Sequence, residues 1–320
     1  MKSMNFTTRF WISFSLVLAT VLIGFVGPLI IKTSPDAVVG GLYDPPSGFG
    51  PLMLGTDNEG QSVLANLVYG TRTSLIVGLL AGTIASVIGL AIGIVAGYKG
   101  GVVDEILMGA TNIALAIPGI VIIILLSIAL DSRAIVPLGA VIGVTAWPWM
   151  ARAVRAQATS VRTREHLDVA RLSGARFWSI LAWDLLPYLL SYVVMAFVLQ
   201  VSGAILAEAA LSLLGLGPSN AVSLGTMLYW AIAWGSVRTG AWWAFLPPTI
   251  MLTVLAFSLL LLQSSMDEVF NPRLRRGKAV KRRKPPSPRT PEEIEEVSPT
   301  AIGGSTLVQP PIGVSRGADS

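Results

Sequence analysis

Cysteine is absent from this chain, and histidine occurs once, at His166. Without thiols there is no disulfide framework and no thiolate metal site. A lone imidazole leaves too little for the triads and zinc sites that most hydrolytic chemistry uses, and no paired carboxylates take their place. Charge is also scarce: 13% of the residues are Asp, Glu, Lys or Arg, about half the share of a soluble domain. A phosphate-binding loop is missing too. No Gly-x-x-x-x-Gly-Lys-Ser/Thr run exists, and Gly277-Lys278-Ala279 is not one. The chain is expected to be no enzyme and to hold no cofactor, metal or nucleotide of its own. Basic residues interleaved with aromatics are lacking as well, so the net charge of +5 does not point to nucleic acid.

What is present is apolar surface. Hydrophobic residues make up 53% of the 320, and they fall in long runs. A helix needs about 20 mostly apolar residues to cross a bilayer. Stretches of that kind cover Trp11–Ile31, Thr73–Tyr98, Ile106–Leu130, Ala134–Ala151, Leu185–Ala207 and Thr239–Met266. The fold class expected is an all-α polytopic membrane protein with six transmembrane helices. The first run follows Lys2 and Arg9 as a signal peptide would, yet it is long for one and lacks a small-x-small cleavage site, so it reads as a retained anchor. The fourth run contains Pro137 and Pro148, which predicts a bend or an extension past Arg152. Leu224–Ser236 is apolar but short, and reads as an interfacial or re-entrant helix.

Charge asymmetry orients the spans. With six spans and a cytoplasmic N-terminus, 19 of the 23 lysines and arginines lie inside, and only Lys32, Arg72, Arg133 and Arg238 lie outside. Discounting the long C-terminal tail still leaves nine against four. Both termini are therefore expected in the cytoplasm. The domains expected are a first helix within 1–31, an external loop at 32–72, a five-helix core at 73–276 and a tail at 277–320 that is too polar and proline-rich to build a core.

Three smaller features carry expectations. Gly78 and Gly82, and then Gly89, Gly93 and Gly97, are spaced by four in the second run, as in helices that pack closely. The run Leu54-Gly55-Thr56-Asp57-Asn58-Glu59-Gly60 has turn chemistry, with cation binding by its acids the less common alternative. Trp230, Trp234, Trp242 and Trp243 read as an interfacial aromatic belt rather than a sugar-stacking set.

The internal loop 152–187 is the most informative segment. Leu167, Ala170 and Leu172 suggest a short amphipathic helix, Gly174 suits its C-cap, and Phe177, Trp178, Ile180 and Leu181 add apolar bulk. Two readings fit: a hairpin held on the membrane by arginines at lipid phosphates, or a plug for a groove on another protein.

From Asp168 to Pro187 this segment resembles the signature loop of ABC-importer permeases: an acid (Asp168), two small residues (Val169, Ala170), a glycine four further on (Gly174), and a later Leu186-Pro187. Asp replaces the family's Glu and Val its first Ala. Leu54–Gly60 with Val63-Leu64 is similar to the Gly-Thr-Asp-x-x-Gly-Arg-Asp motif of the dipeptide/oligopeptide/nickel permeases, with Gln61 and Ser62 in place of Arg-Asp. Ala96-Gly97-Tyr98 with Gly100-Gly101, the stretch from Glu208 to Gly217, and Asp267-Glu268 to Asn271-Pro272-Arg273 also match, so the resemblance covers roughly Phe10 to Arg276. It implies the fold of a type I ABC importer permease. It implies partners too: a second permease subunit, two cytoplasmic ABC ATPase subunits that bind the ATP, and an extracytoplasmic solute-binding protein. The cargo implied is dipeptide or oligopeptide, with oligosaccharide or nickel as alternatives, and the setting is a prokaryotic plasma membrane. The residues expected to couple to the ATPase are Asp168, Ala170, Arg171, Leu172, Gly174, Phe177 and Trp178. Arg171 and Arg176 suit acids on the motor or lipid phosphates equally. Glu208, an acid just inside an apolar run, suits either the translocation path or a bonded structural position. An ion-coupled secondary transporter is the competing class, and co-purification with an ATPase separates the two.

Overall fold

The computed structural model describes residues 8–130 and 133–270. All of them belong to the unit Met1–Leu274. The expected tail, the ending Asn271–Arg273 and Lys2 lie outside the described residues.

The order of elements is α1 (Thr8–Ile30), α2 (Val63–Lys99), α3 (Gly101–Ala116), α4 (Gly119–Ala129), α5 (Ile135–Arg162), α6 (Glu165–Leu172), a one-turn α7 (Phe177–Ser179), a π-helical turn Ile180–Leu185, α8 (Leu186–Leu213), α9 (Leu224–Ala233) and α10 (Trp242–Phe270). Among the described residues, β structure is limited to two isolated bridges that close the loop before α2, Val38 with Gln61 and Thr56 with Ser62.

Five helices are long and apolar enough to cross a membrane: α1, α2, α5, the continuous stretch Phe177–Leu213 and α10. The sixth expected span is not a straight helix. The run Ile106–Leu130 divides into α3 and α4, which meet at 81°. Proline explains the break. Pro118 offers no N–H and disfavours helical ψ at the residue before it, and Ile117 is extended at φ −91°, ψ 128°. Counting that bent pair as one span restores six. At 10 residues, α9 is about 15 Å long, too short to cross.

The helices α2 and α5 and the stretch Phe177–Leu213 overrun their expected limits because a charge-free criterion stops at the first charged residue. With 37 residues, α2 is about 55 Å long and passes through Asn66 and Arg72. Its N-cap is Ser62, whose hydroxyl accepts from the Ala65 N–H at 3.2 Å and donates to the Pro51 carbonyl. Serine is a favoured N-cap, and Ser62 fills that position without a charge. The helix α5 likewise continues past Arg152 to Arg162.

The core lies between α2, α5 and α8. The glycine row of α2 makes it possible, and it packs within this chain on two partners. A Cβ at Gly78 or Gly82 would overlap Ile205 or Val201 of α8, and one at Gly89, Gly93 or Gly97 would overlap Met150, Val154 or Ala158 of α5. Val77, Met150, Val154 and Ile205 are fully buried as a result. Outward-facing positions such as Leu18, Leu22, Ile113, Leu125, Ile128 and Phe257 stay exposed, as expected of a surface meant for lipid or partner helices.

Candidate functional site

The segment between α5 and α8 is anchored on one face and bare on the other. In α6, Leu167 is wholly buried, in a cluster with Val161, Ile180, Leu181 and Leu185. On its outer face Val169 and Leu172 are exposed, Leu172 by 88%. The helix ends in a complete Schellman motif. The Ala175 N–H donates to the Ala170 carbonyl and the Gly174 N–H to the Arg171 carbonyl, both at 3.1 Å. Gly174 between them takes φ +75°, which an L side chain adopts only with strain. The sequence reading of Gly174 as a C-cap agrees with this geometry.

The chain then turns into α7, the π turn and α8. Pro187 accounts for the π turn. It cannot donate to the Trp183 carbonyl, and its ring would crowd that oxygen in an α-helix. The Leu186 N–H reaches five residues back to Leu181 instead.

The structure divides the apolar residues expected to face a partner. Leu172 and Trp178 are exposed, the latter by 71%, and Trp183, which the sequence did not single out, by 79%. Phe177 turns inward: its ring centroid lies 5.6 Å from that of Tyr98, and the Lys99 ammonium sits 5.0 Å above it. Ala170 is half-buried against the same cluster. Asp168 and Arg171 form an ion pair at 2.8 Å, which at such exposure is worth a few tenths of a kcal/mol at most. Arg171 does more as a brace. Its guanidinium lies 5.0 Å over the Tyr98 ring, donates to the Tyr98 hydroxyl at 3.2 Å and reaches the Arg162 carbonyl at 3.4 Å. Neither a motor acid nor a lipid phosphate is needed to explain its position. Arg176 remains exposed. His166 stacks on Tyr188 at 4.3 Å, and the Arg164 guanidinium lies 5.6 Å from the centre of the same tyrosine ring.

Glu208 lies elsewhere, fully buried in α8. Its Oε1 accepts from Ser212 at 2.7 Å and from Ser223 at 2.6 Å, and its Oε2 accepts from Ser74 at 2.9 Å. Ser74 in turn accepts from the Leu224 N–H at 3.3 Å. One carboxylate thus ties α2, α8 and the N-cap of α9 together. Ser223 also closes a capping box with Thr226. The sequence offered no signal for the three serines, since they come from different elements and show no common period. Ser212 borders a cavity of about 750 Å³ between the loop 32–62, α2 and the α8–α9 connection, but Glu208 itself is not in its wall.

The tryptophans also separate. Trp230, Trp234 and Trp242 are exposed, in keeping with a belt. Trp243 donates its Nε1–H to the Thr56 carbonyl at 3.0 Å and so fastens the loop before α2 onto α10.

Residues 89–276 match the family described as binding-protein-dependent transport system inner membrane component. Among curated proteins, the chain is 31% identical to the dipeptide transport system permease protein DppC of Bacillus subtilis over 226 residues, 69% of each chain. It is 32% identical over 278 residues to a putative peptide transport system permease protein of Brucella suis, covering 83% of this chain and 88% of that one. It is 30% identical over 267 residues to DppC of Haemophilus influenzae, covering 81% and 88%. Among solved structures, an inward-facing MetNI methionine ABC transporter aligns with a TM-score of 0.53 at 20% identity, over 64% of this chain and 96% of that one, a likeness of fold.

Proposed function

The chain belongs to the family of binding-protein-dependent transport system inner membrane components, and we propose that it is one permease subunit of an ATP-driven importer of peptides. The relatives support the cargo class, two being dipeptide permeases and one a putative peptide permease. A second permease subunit completes the path, two ABC ATPase subunits bind on the cytoplasmic side, and an extracytoplasmic solute-binding protein delivers the peptide. The asymmetry of basic residues assigns both termini and the 152–187 segment to the cytoplasm of a prokaryote and the loop 32–62 to the outside.

The observation that carries this reading is the Schellman turn at Gly174. It holds Leu172 and Trp178 out from a segment whose other face is locked to the bundle by Leu167, Phe177 and Arg171. Two exposed apolar side chains flanking a rigid turn suit a groove on a partner. When nucleotide closes the ATPase pair, the groove moves, and Leu172 and Trp178 move with it. The inner face passes that displacement to α2 through Tyr98 and to α8 through the π turn, so the spans rock between two states of access.

The test is ATP-driven peptide uptake by the assembled complex in proteoliposomes, with wild-type chain and with Gly174→Val. The variant is expected to insert and assemble but to lose most uptake. Full uptake by it, or peptide transport by the isolated chain under an ion gradient, overturns the proposal.

A further inference from the structure

The loop 32–62 carries a tip shaped around a side chain that packs on nothing. Phe49 is 100% exposed, between Gly48 at φ +59° and Gly50 at φ +112°. A Cβ on either glycine would meet nothing within 4 Å, so conformation and not space calls for glycine there. The reversal is pinned. The Ser47 N–H donates to the Leu52 carbonyl at 2.9 Å and the Met53 N–H to the Gly50 carbonyl at 3.1 Å. At the base, the Thr56 N–H donates to the Asp44 carbonyl and the Tyr43 N–H to the Asp57 carbonyl, both at 3.0 Å. The Pro51 carbonyl accepts from the Ser62 hydroxyl at the head of α2, and Pro45, Pro46 and Pro51 restrict the backbone further. A fixed turn thus displays an aromatic ring that stabilises nothing inside the chain.

Height argues against lipid as its cover. The charge-free run of α2 begins at Thr73, and Ser62 caps the helix 11 residues earlier, about 16 Å further along the axis. The tip is bonded at that outer level. Charge argues the same way. From Pro45 to Thr56 no residue is charged, yet the whole loop holds four carboxylates, Asp36, Asp44, Asp57 and Glu59, against Lys32 alone. Anionic headgroups repel such a loop. Asp36 and Glu59 are exposed, and Asp44 and Asp57 stand at the base of the tip. An uncharged apolar centre with an acidic surround has the anatomy of a protein contact. Its complement is an apolar pocket edged by lysines and arginines.

The asymmetry of basic residues assigns this loop to the outside, and the family is described by its dependence on a binding protein. Resting on the importer reading above, we infer that the tip 45–53 is a docking contact for the solute-binding protein, with Phe49 as its anchor in an apolar pocket and Asp36 and Glu59 facing a basic rim.

The experiment measures the affinity of the purified, peptide-loaded binding protein of the same importer for the assembled permease–ATPase complex in nanodiscs. Phe49→Ala is expected to weaken it about 10- to 100-fold, the loss of one phenyl ring withdrawn from water. Equal affinity of wild type and Phe49→Ala overturns the inference. A spin label identifies the cover. The chain lacks cysteine, so Ser47→Cys, with cysteine-free partner subunits, takes a single label beside an intact Phe49. Before binding protein is added, a water-soluble nickel chelate is expected to reach the label; afterwards neither the chelate nor oxygen should. Access of oxygen but not chelate before the addition puts the tip in lipid. Exclusion of both puts it against the second permease. Either result, or no change on addition, overturns the inference. ATP-driven uptake separates the two levels. If the wild-type complex imports peptide with binding protein present but fails these criteria, only the docking contact falls; if it imports none, the functional reading falls with it.

Discussion

Gly174 permits a graded test, because two explanations of its importance can be set apart by chemistry. Its φ of +75° penalises a side chain, yet a Cβ built there meets nothing within 4 Å. A substitution therefore acts through backbone strain rather than collision inside the chain. Asparagine visits this conformation routinely, whereas other residues lose about 1–2 kcal/mol there, and a β-branched one stands at the upper end. That energy bears on an eight-residue helix, about two turns long and too short to hold itself, and on the two hydrogen bonds of its C-cap. A shift of 1–2 kcal/mol changes the population of the competent turn about 5- to 30-fold. Uptake by the reconstituted complex is expected to fall in the order Gly174→Asn, Gly174→Ala, Gly174→Val, with Asn close to wild type and Val down about tenfold or more. ATPase activity and membrane insertion, measured on the same preparations, show whether the loss is one of coupling. If Asn is as damaging as Val, strain is not the cause. If Val is harmless, the turn transmits nothing.

Other outcomes follow from separate parts of the molecule. Leu172→Asp, at an 88% exposed site, should leave the chain folded but prevent its co-purification with the ATPase. Glu208→Leu strands the hydroxyls of Ser74, Ser212 and Ser223, so the complex should lose about 2 kcal/mol or more, read as a lower Tm, while Glu208→Gln restores most of it. Gly93→Leu places a side chain against the Ala151 carbonyl and Val154 and should abolish stable insertion; normal yield would contradict the close α2–α5 packing. Burial raises the Asp57 carboxyl, so the folded loop holds its proton more readily than the unfolded one. Loop stability is then greatest below the ordinary Asp range near 4 and falls as pH rises through that value to the raised one. Amide protection of residues 55–66, taken relative to the intrinsic exchange rate at each pH, should fall over that window, and Asp57→Asn should flatten the trend.

The sequence displayed whatever is periodic or confined to neighbouring residues. Six apolar runs marked the spans, the four-residue glycine spacing in α2 marked a packed face, and the order Leu172-Ser173-Gly174 marked a helix end. Hidden were events that depend on partners distant in sequence. Pro118 sat inside an apolar run that a charge count reads as continuous, although its missing N–H breaks it. Arg72 alone ended the expected second span, although the helix runs on through it and through Asn66 to its N-cap at Ser62. Phe177 and Trp178 are adjacent and equally apolar, and only the presence of Tyr98 and Lys99 beneath the first tells them apart. Ser74, Ser212 and Ser223 are 138 and 11 residues apart, so nothing local foretold that one carboxylate gathers them.

The length of α2 has a mechanical meaning. Tyr98, near one end, touches Phe177 and Arg171, and Asn66, near the other, borders the cavity. The two are 32 residues apart in one unbroken helix, about 48 Å along its axis. A rod of that length is a lever arm. Pivoted where its glycines bear on α5 and α8, a tilt of about 5° sweeps one end about 4 Å relative to the other, roughly the width of an extended peptide backbone.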